Sequence, residues 1–167
     1  MQMSSEFRVP SSESNEHTEQ IDECATTRNS EPGTRNCLDV AAGLVFRDGK
    51  LLITLRPADA HLGGLWEFPG GKRNPDETFE ACLRRELEEE LGIDVAVGEL
   101  IETITHDYPE KTVHLKFFRC VWQRHEPEAR GCLAFAWIRP DQLNNYAFPD
   151  ADARLLDRLQ HTPGLWK

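Results

Sequence analysis

Residues 71–93, GKRNPDETFEACLRRELEEELGI, decide how the rest of this chain is read. From Glu77 to Leu91 the residues are strong helix formers, entered through Asn74-Pro75-Asp76 and left at Gly92, which predicts a helix over 77–91. At about 100° per residue, Phe79, Leu83, Leu87 and Leu91 fall on one apolar stripe. Glu90 lies roughly 20° from Leu83, inside that stripe, and Glu86 roughly 60° away, on its border. Glu89 lies further round, and Glu88 points to the opposite side. A solvated helix keeps carboxylates off its buried stripe, and acids three and four residues apart repel one another unless a cation neutralises them. Glu86, Glu89 and Glu90 are therefore candidate metal ligands. An all-oxygen set suits Mg²⁺, with Mn²⁺ the alternative.

Length and charge bound what such a site can serve. A chain of 167 residues supports one domain with a real core plus a tail, and is read as a monomer. The net charge of −10 argues against a nucleic-acid polymer or an anionic membrane as the main partner. A small phosphate-bearing substrate is compatible with it, because a bound metal reverses the local field. The five cysteines (Cys24, Cys37, Cys82, Cys120, Cys132) are odd in number and not closely spaced, which predicts free thiols rather than a disulfide framework or zinc site. No apolar run approaches membrane-spanning length, and the first thirty residues lack the apolar core of a signal peptide, so the expected location is cytoplasmic.

Working outward from the helix, residues 1–36 are rich in Ser, Thr, Glu and Asn and hold too little apolar surface to offset their ordering entropy. They are read as a disordered tail, and 37–167 as the domain. Leu38–Phe46 and Lys50–Leu55 are short apolar runs around Arg47-Asp48-Gly49, a hairpin signal. A loop over Arg56–Gly64 leads to Leu65-Trp66-Glu67-Phe68. Beyond the helix, Asp94–Val97, Leu100–His106 and Thr112–Gln123 read as strands, with Tyr108-Pro109-Glu110-Lys111 turning the last pair. Ala134–Ile138 is a further strand, Pro140–Leu143 a helical turn, and Ala151–Leu159 a terminal helix with Leu155, Leu156 and Leu159 facing inward. Strands on both sides of a central helix, with a second helix at the end, predict an α/β fold with a mixed sheet between helices.

The opening stretch has a further regularity. It runs Gly71, five residues, Glu77, seven residues, then Arg85-Glu86-Leu87-x-Glu89-Glu90-x-Gly92-Ile93. This is the spacing of the Nudix box, so the chain resembles the Nudix hydrolases. Arg56-Pro57-Ala58-Asp59-Ala60-His61, Leu65-Trp66-Glu67-Phe68-Pro69-Gly70-Gly71-Lys72 and Phe148-Pro149-x-Ala151 extend the resemblance to the MutT group over about residues 38–160. The resemblance implies the Nudix α/β/α sandwich and Mg²⁺-dependent hydrolysis of a nucleoside triphosphate to the monophosphate and pyrophosphate. Its defining substrate would be 8-oxo-dGTP, and its role nucleotide-pool sanitation that spares DNA replication and repair. Carried over by position, Glu86, Glu89 and Glu90 hold the metal with the backbone carbonyl near Gly70, and Glu86 also orients or deprotonates the attacking water. Arg85 fixes these carboxylates by pairing with Glu77 and its helix neighbours. Lys72 lies near the phosphates, and Gly70 and Gly71 let the backbone approach closely. Arg56 contacts phosphate or sugar, and Phe68 lines the base site. Lys111 falls near a substrate-contacting arginine of the group but beside a turn, where solvent is the simpler reading. Trp66 and Trp137 are read as core, and His61 and His106 as structural.

Two departures from the group stand out. The base-reading asparagine of bacterial MutT enzymes is replaced here by Asp152, which when ionised only accepts hydrogen bonds. It can accept from guanine N1–H and the 2-amino group, become a neutral acid in a dry site, or accept the amine of a cytosine. A CTP- or dCTP-type pyrophosphohydrolase is therefore a rival reading, and a non-hydrolytic reader of oxidised guanine is the alternative of another class. Secondly, the loop before the last strand, Gly131-Cys132-Leu133-Ala134, carries no acid, so Glu126 or Glu128 would have to supply the group's additional metal-site carboxylate.

Overall fold

A computed structural model describes residues 36–167. The tail read over 1–36 lies outside the described residues except for Asn36, which opens the first strand. In chain order the domain holds β1 (Asn36–Arg47), β2 (Lys50–Leu55), β3 (Trp66–Glu67), β4 (Gly70–Lys72), α1 (Phe79–Leu91), β5 (Asp94–Asp107), β6 (Lys111–Arg124), β7 (Ala134–Ile138) and α2 (Ala153–His161). Short 3-10 turns flank α2 at Pro140–Asn145, Asp150–Asp152 and Pro163–Trp166.

The strands make one mixed sheet in the order β3-β2-β1-β6-β5, with β4 paired to β1 and β7 to β2. Its centre is the parallel pairing of β1 with β6, from Asn36↔Lys111 to Phe46↔Val121. The β1–β2 hairpin closes at Asp48 (φ 51°) and Gly49 (φ 70°), two successive left-handed residues of the kind a tight hairpin requires. Alternate residues of β1 and β2 feed two separate cores, because successive strand side chains point to opposite faces. Ala41, Val45 and Leu52 join Leu83, Leu87 and Leu91 of α1. Ala42, Leu44, Leu51 and Ile53 join Leu155 and Leu159 of α2 and Trp166. The sandwich expected from sequence is thus present, with one helix on each face.

The differences from the sequence reading lie at element ends. α1 begins at Phe79, two residues later than expected, because Thr78 is its N-cap: its Oγ1 accepts from the Ala81 amide at 3.1 Å. Glu77 is left outside the helix, where it accepts from the Asn74 amide at 3.2 Å. The other end is where Gly92 predicted it, with φ 67° and its amide donating to the Glu88 carbonyl at 2.9 Å. The two strands expected over 94–106 are one strand, β5, whose pairing with β6 shifts register between Val97 and Leu100 and again between Leu100 and Glu102. Such bulges read in sequence as a break. The terminal helix starts at Ala153 rather than Ala151, since residues 150–152 form a tighter turn whose Asp152 amide donates to the Pro149 carbonyl at 3.0 Å. Leu155 and Leu159 are fully buried as expected, and Leu156 packs against the same core.

Candidate active site

β4 and α1 build the acidic end of the site together. β4 pairs antiparallel with β1, so Gly70 and Gly71 lie directly beside Ala42 and Ala41. A Cβ on Gly70 would strike the Ala41 carbonyl, and one on Gly71 would fall on the Glu86 carboxyl. Glycine is needed at both because strand and carboxylate approach too closely for any side chain. Arg85 ties the helix to this strand. Its guanidinium donates to the Lys72 carbonyl at 3.1 Å, to Glu77, to Glu86 Oε1 at 2.7 Å and to Glu89 Oε2 at 3.3 Å. The expected pairing with Glu77 is therefore present. The hydrogen bonds from Arg85 are the main cause that holds the Glu77 carboxyl down at about 2.

Glu86 and Glu90 face a cavity of about 490 Å³, lined also by Gly70, Lys72, Arg56, Phe68, Lys111 and Asp152. All the substrate-contacting residues expected from sequence thus meet in one space. Lys111 departs from its solvated reading: it opens β6, is half-buried, and sets its Nζ 5.8 Å from the Tyr108 ring centre. Glu89 lies outside the lining, 55% exposed and held by Arg85. Phe68 is buried, stacked on Phe148 at 5.2 Å and edge-on to Phe117 at 5.8 Å, so it is core and cavity wall at once. Trp66 and Trp137 pack against the two cores as partly buried side chains, as expected. His61 and His106 both meet the Tyr108 ring, at 5.4 and 4.6 Å, and His61 also lines the cavity.

Electrostatics divide the cavity into ends. Burial, then the charges of Glu67 and Glu86, push the Glu90 carboxyl up to about 7. Burial, then the charge of Glu67, pushes Asp152 up to about 7 as well. Asp152 is 4% exposed, and its carboxyl makes no side-chain hydrogen bond among the described residues. Sequence reasoning missed Glu67. It lines the cavity, pairs with Arg56, and burial raises its own carboxyl. No periodicity could have marked it, because β3 is only the two residues Trp66–Glu67. Glu126 and Glu128, the loop acids expected to reach in, do not: they pair on the surface with Arg47 and Arg130.

Glu86, Glu89 and Glu90 present only hard oxygen donors, and the repulsion that Glu86 adds at Glu90 is what a divalent cation relieves. The donor set thus fits Mg²⁺ or Mn²⁺, although no three acidic, His or Cys side chains among the described residues are already drawn together as a metal cluster. The four described cysteines are free thiols, as predicted. No helix among the described residues is long and apolar enough to cross a membrane.

Comparison with known proteins agrees with this geometry. Residues 41–158 match the family described as NUDIX domain. The chain is 38% identical over 126 residues to the CTP pyrophosphohydrolase of Escherichia coli (strain K12), covering 72% of this chain and 89% of the relative. It is 43% identical over 96 residues to the 8-oxo-dGTP diphosphatase of Proteus vulgaris, covering 56% of this chain and 86% of the relative. The solution structure of the E. coli ORF135 protein superposes with a TM-score of 0.67 at 33% identity, over 80% of this chain and 95% of that one. The box on α1, the sandwich that presents it and these likenesses lead to one conclusion: the chain is a Nudix hydrolase, and a MutT-like one.

Proposed function

We propose that this enzyme hydrolyses a nucleoside triphosphate to the monophosphate and pyrophosphate, using Mg²⁺ held by Glu86, Glu89, Glu90 and the Gly70 carbonyl. Bound there, the metal would supply charge neutralisation and polarisation of the attacked phosphorus. Glu86, at the border of the buried helix stripe, orients the attacking water or takes its proton. Lys72 and Arg56 meet the phosphates from the cavity wall, and Arg85 keeps the carboxylates aligned. Water needs no further activation than a carboxylate beside a metal provides.

For the base, the leading reading is an oxidised guanine nucleotide, 8-oxo-dGTP, which makes the enzyme a sanitiser of the nucleotide pool. Asp152 carries this reading. A buried carboxyl without a side-chain partner, facing a cavity walled by Phe68, is a group waiting for a ligand's donors. Ionised, it offers adjacent acceptors to guanine N1–H and the 2-amino group. A second reading has its own support. Near its raised pKa of about 7, Asp152 is also present as the neutral acid, which matches the donor and acceptor of a cytosine edge. The likeness to the E. coli CTP pyrophosphohydrolase favours the same base.

Pyrophosphate release with Mg²⁺ across 8-oxo-dGTP, dGTP, dCTP, 5-methyl-dCTP, CTP, ADP-ribose and a dinucleoside polyphosphate tests both. Preference for 8-oxo-dGTP supports the pool sanitiser, and preference for cytosine nucleotides keeps the chemistry and replaces the substrate. Binding of oxidised guanine nucleotide without turnover would instead support a non-hydrolytic reader.

A further inference from the structure

Glu67 has no role in the chemistry above, yet it is a cavity carboxylate with its own fixed counter-charge. It stands on β3, at the end of the sheet path, and its carboxylate pairs with the Arg56 guanidinium. Arg56 is gripped from the other side, Nε donating to the His61 carbonyl at 2.8 Å. α1 brings Glu86 and Glu90 to the cavity from one face of the sheet, and the turn before α2 brings Asp152 from the other. The Arg56–Glu67 pair lines the same cavity from the sheet that separates those two faces. The charge of Glu67 bears on both Glu90 and Asp152.

Charge then decides which part of a nucleotide crosses the pair. If metal and phosphates occupy the Glu86–Glu90 end and the base meets Asp152, the sugar and α-phosphate lie at the middle. A carboxylate repels phosphate oxygens but accepts from a hydroxyl, and a guanidinium has the opposite preference. We propose that Glu67 accepts a hydrogen bond from the sugar 3′-hydroxyl while Arg56, beside it, donates to the α-phosphate. The pair is thus the sugar-reading element of the cavity, and it serves guanine and cytosine nucleotides alike. This assignment rests on the nucleotide reading of the site given above. Burial raises the Glu67 carboxyl, Arg56 opposes that rise, and the ion pair holds both side chains in place.

The test compares a 2′-deoxynucleoside triphosphate with its 2′,3′-dideoxy counterpart on the same base. Losing a hydrogen bond to a charged group should lower kcat/KM of the native enzyme by about tenfold or more. Glu67→Met, which keeps length but has no comparable acceptor, should bring the two substrates within about twofold of each other. Glu67→Gln keeps a carbonyl acceptor and should give an intermediate ratio; it also serves if the methionine variant does not fold. Arg56→Met should slow both substrates and also lower their ratio, since Glu67 loses the partner that holds its carboxylate. Calorimetric binding of the corresponding monophosphates needs neither metal nor turnover and should show the same native ratio. A native preference below about threefold in both assays, or the native ratio persisting in Glu67→Met, overturns the assignment. So does loss of Mn²⁺ affinity in Glu67→Met with an unchanged sugar ratio, which would make Glu67 a metal ligand. Monophosphate binding with a clear 3′-hydroxyl preference but no triphosphate turnover would sink the hydrolytic reading and leave the sugar assignment standing.

Discussion

Asp152→Asn should make the metal-free protein more stable than the native chain at about pH 8, and that gain should disappear toward about pH 4. Asp152 is 4% exposed, and burial, with the Glu67 charge second, lifts its carboxyl from 3.8 to about 7 against the opposing pull of Arg56. Unfolding returns the group to water and to its ordinary value. Between those values the unfolded chain has released a proton that the folded chain still holds. Stability therefore falls as pH rises from about 4 to about 7 and is level on either side of that window. One pH unit of separation corresponds to about 1.36 kcal/mol. The separation here, 7 − 3.8, is about three units, so the native chain carries a penalty on the order of 4 kcal/mol above the window. Asparagine does not titrate. Any constant cost of its amide in the same place drops out of the comparison between two pH values. Denaturant unfolding of both proteins at intervals across the window, with a chelator present so that no cation contributes through Glu90, measures the change directly. Tyr108 also faces this carboxyl, but its phenol is pushed above its ordinary value and does not titrate in the window. A native-to-variant difference that moves by less than about 1 kcal/mol across the series would refute the claim that Asp152 is held in a dry, anionic neighbourhood.

Three further outcomes follow from the same geometry. Glu90→Gln should fold and lose turnover, and Mg²⁺ should raise the melting temperature of the native protein but not of the variant; equal stabilisation by the metal would remove Glu90 from the metal site. Gly71→Ala puts a methyl group where the Glu86 carboxyl lies, so kcat/KM should drop on the order of a hundredfold while the melting temperature changes little, and full activity would show Glu86 to be free to move. Thr54 is fully buried and its hydroxyl lacks a partner among the described residues, so Thr54→Val should gain about 1 kcal/mol in denaturant unfolding; a loss would reveal a partner for that hydroxyl.

What the sequence disclosed depended on periodicity. The 3.6-residue stripe of α1 placed Glu90 on its buried side and Glu89 off it, and the structure has Glu90 in the cavity lining and Glu89 outside it, paired with Arg85. The hairpin turn and the Gly92 stop were legible because each needs a left-handed residue that few side chains tolerate. Glu67 was not legible, since nothing in a two-residue strand announces which partner a lone acid will meet across 11 residues of chain. Lys111 was misjudged for a related reason: its neighbours in sequence form a turn, while its neighbour in space is β1. Glu126 and Glu128 had the right chemistry and loop, but Arg47 and Arg130 take them at the surface.

The parallel pairing of β1 with β6 also sets the order of events during synthesis. Asn36 must wait for Lys111, 75 residues later (111 − 36), before the central ladder can start to close. At about 5–20 residues per second that is roughly 4–15 seconds of translation. Through that interval β1 has only its β2 hairpin and β4 as neighbours, and α1 has a single flank of the sheet to lie against. The acidic residues proposed to hold the metal are all made early, but the sheet they stand beside is completed only when β6 emerges and locks its middle. A chain halted before β6 would carry the whole acidic motif and no enzyme.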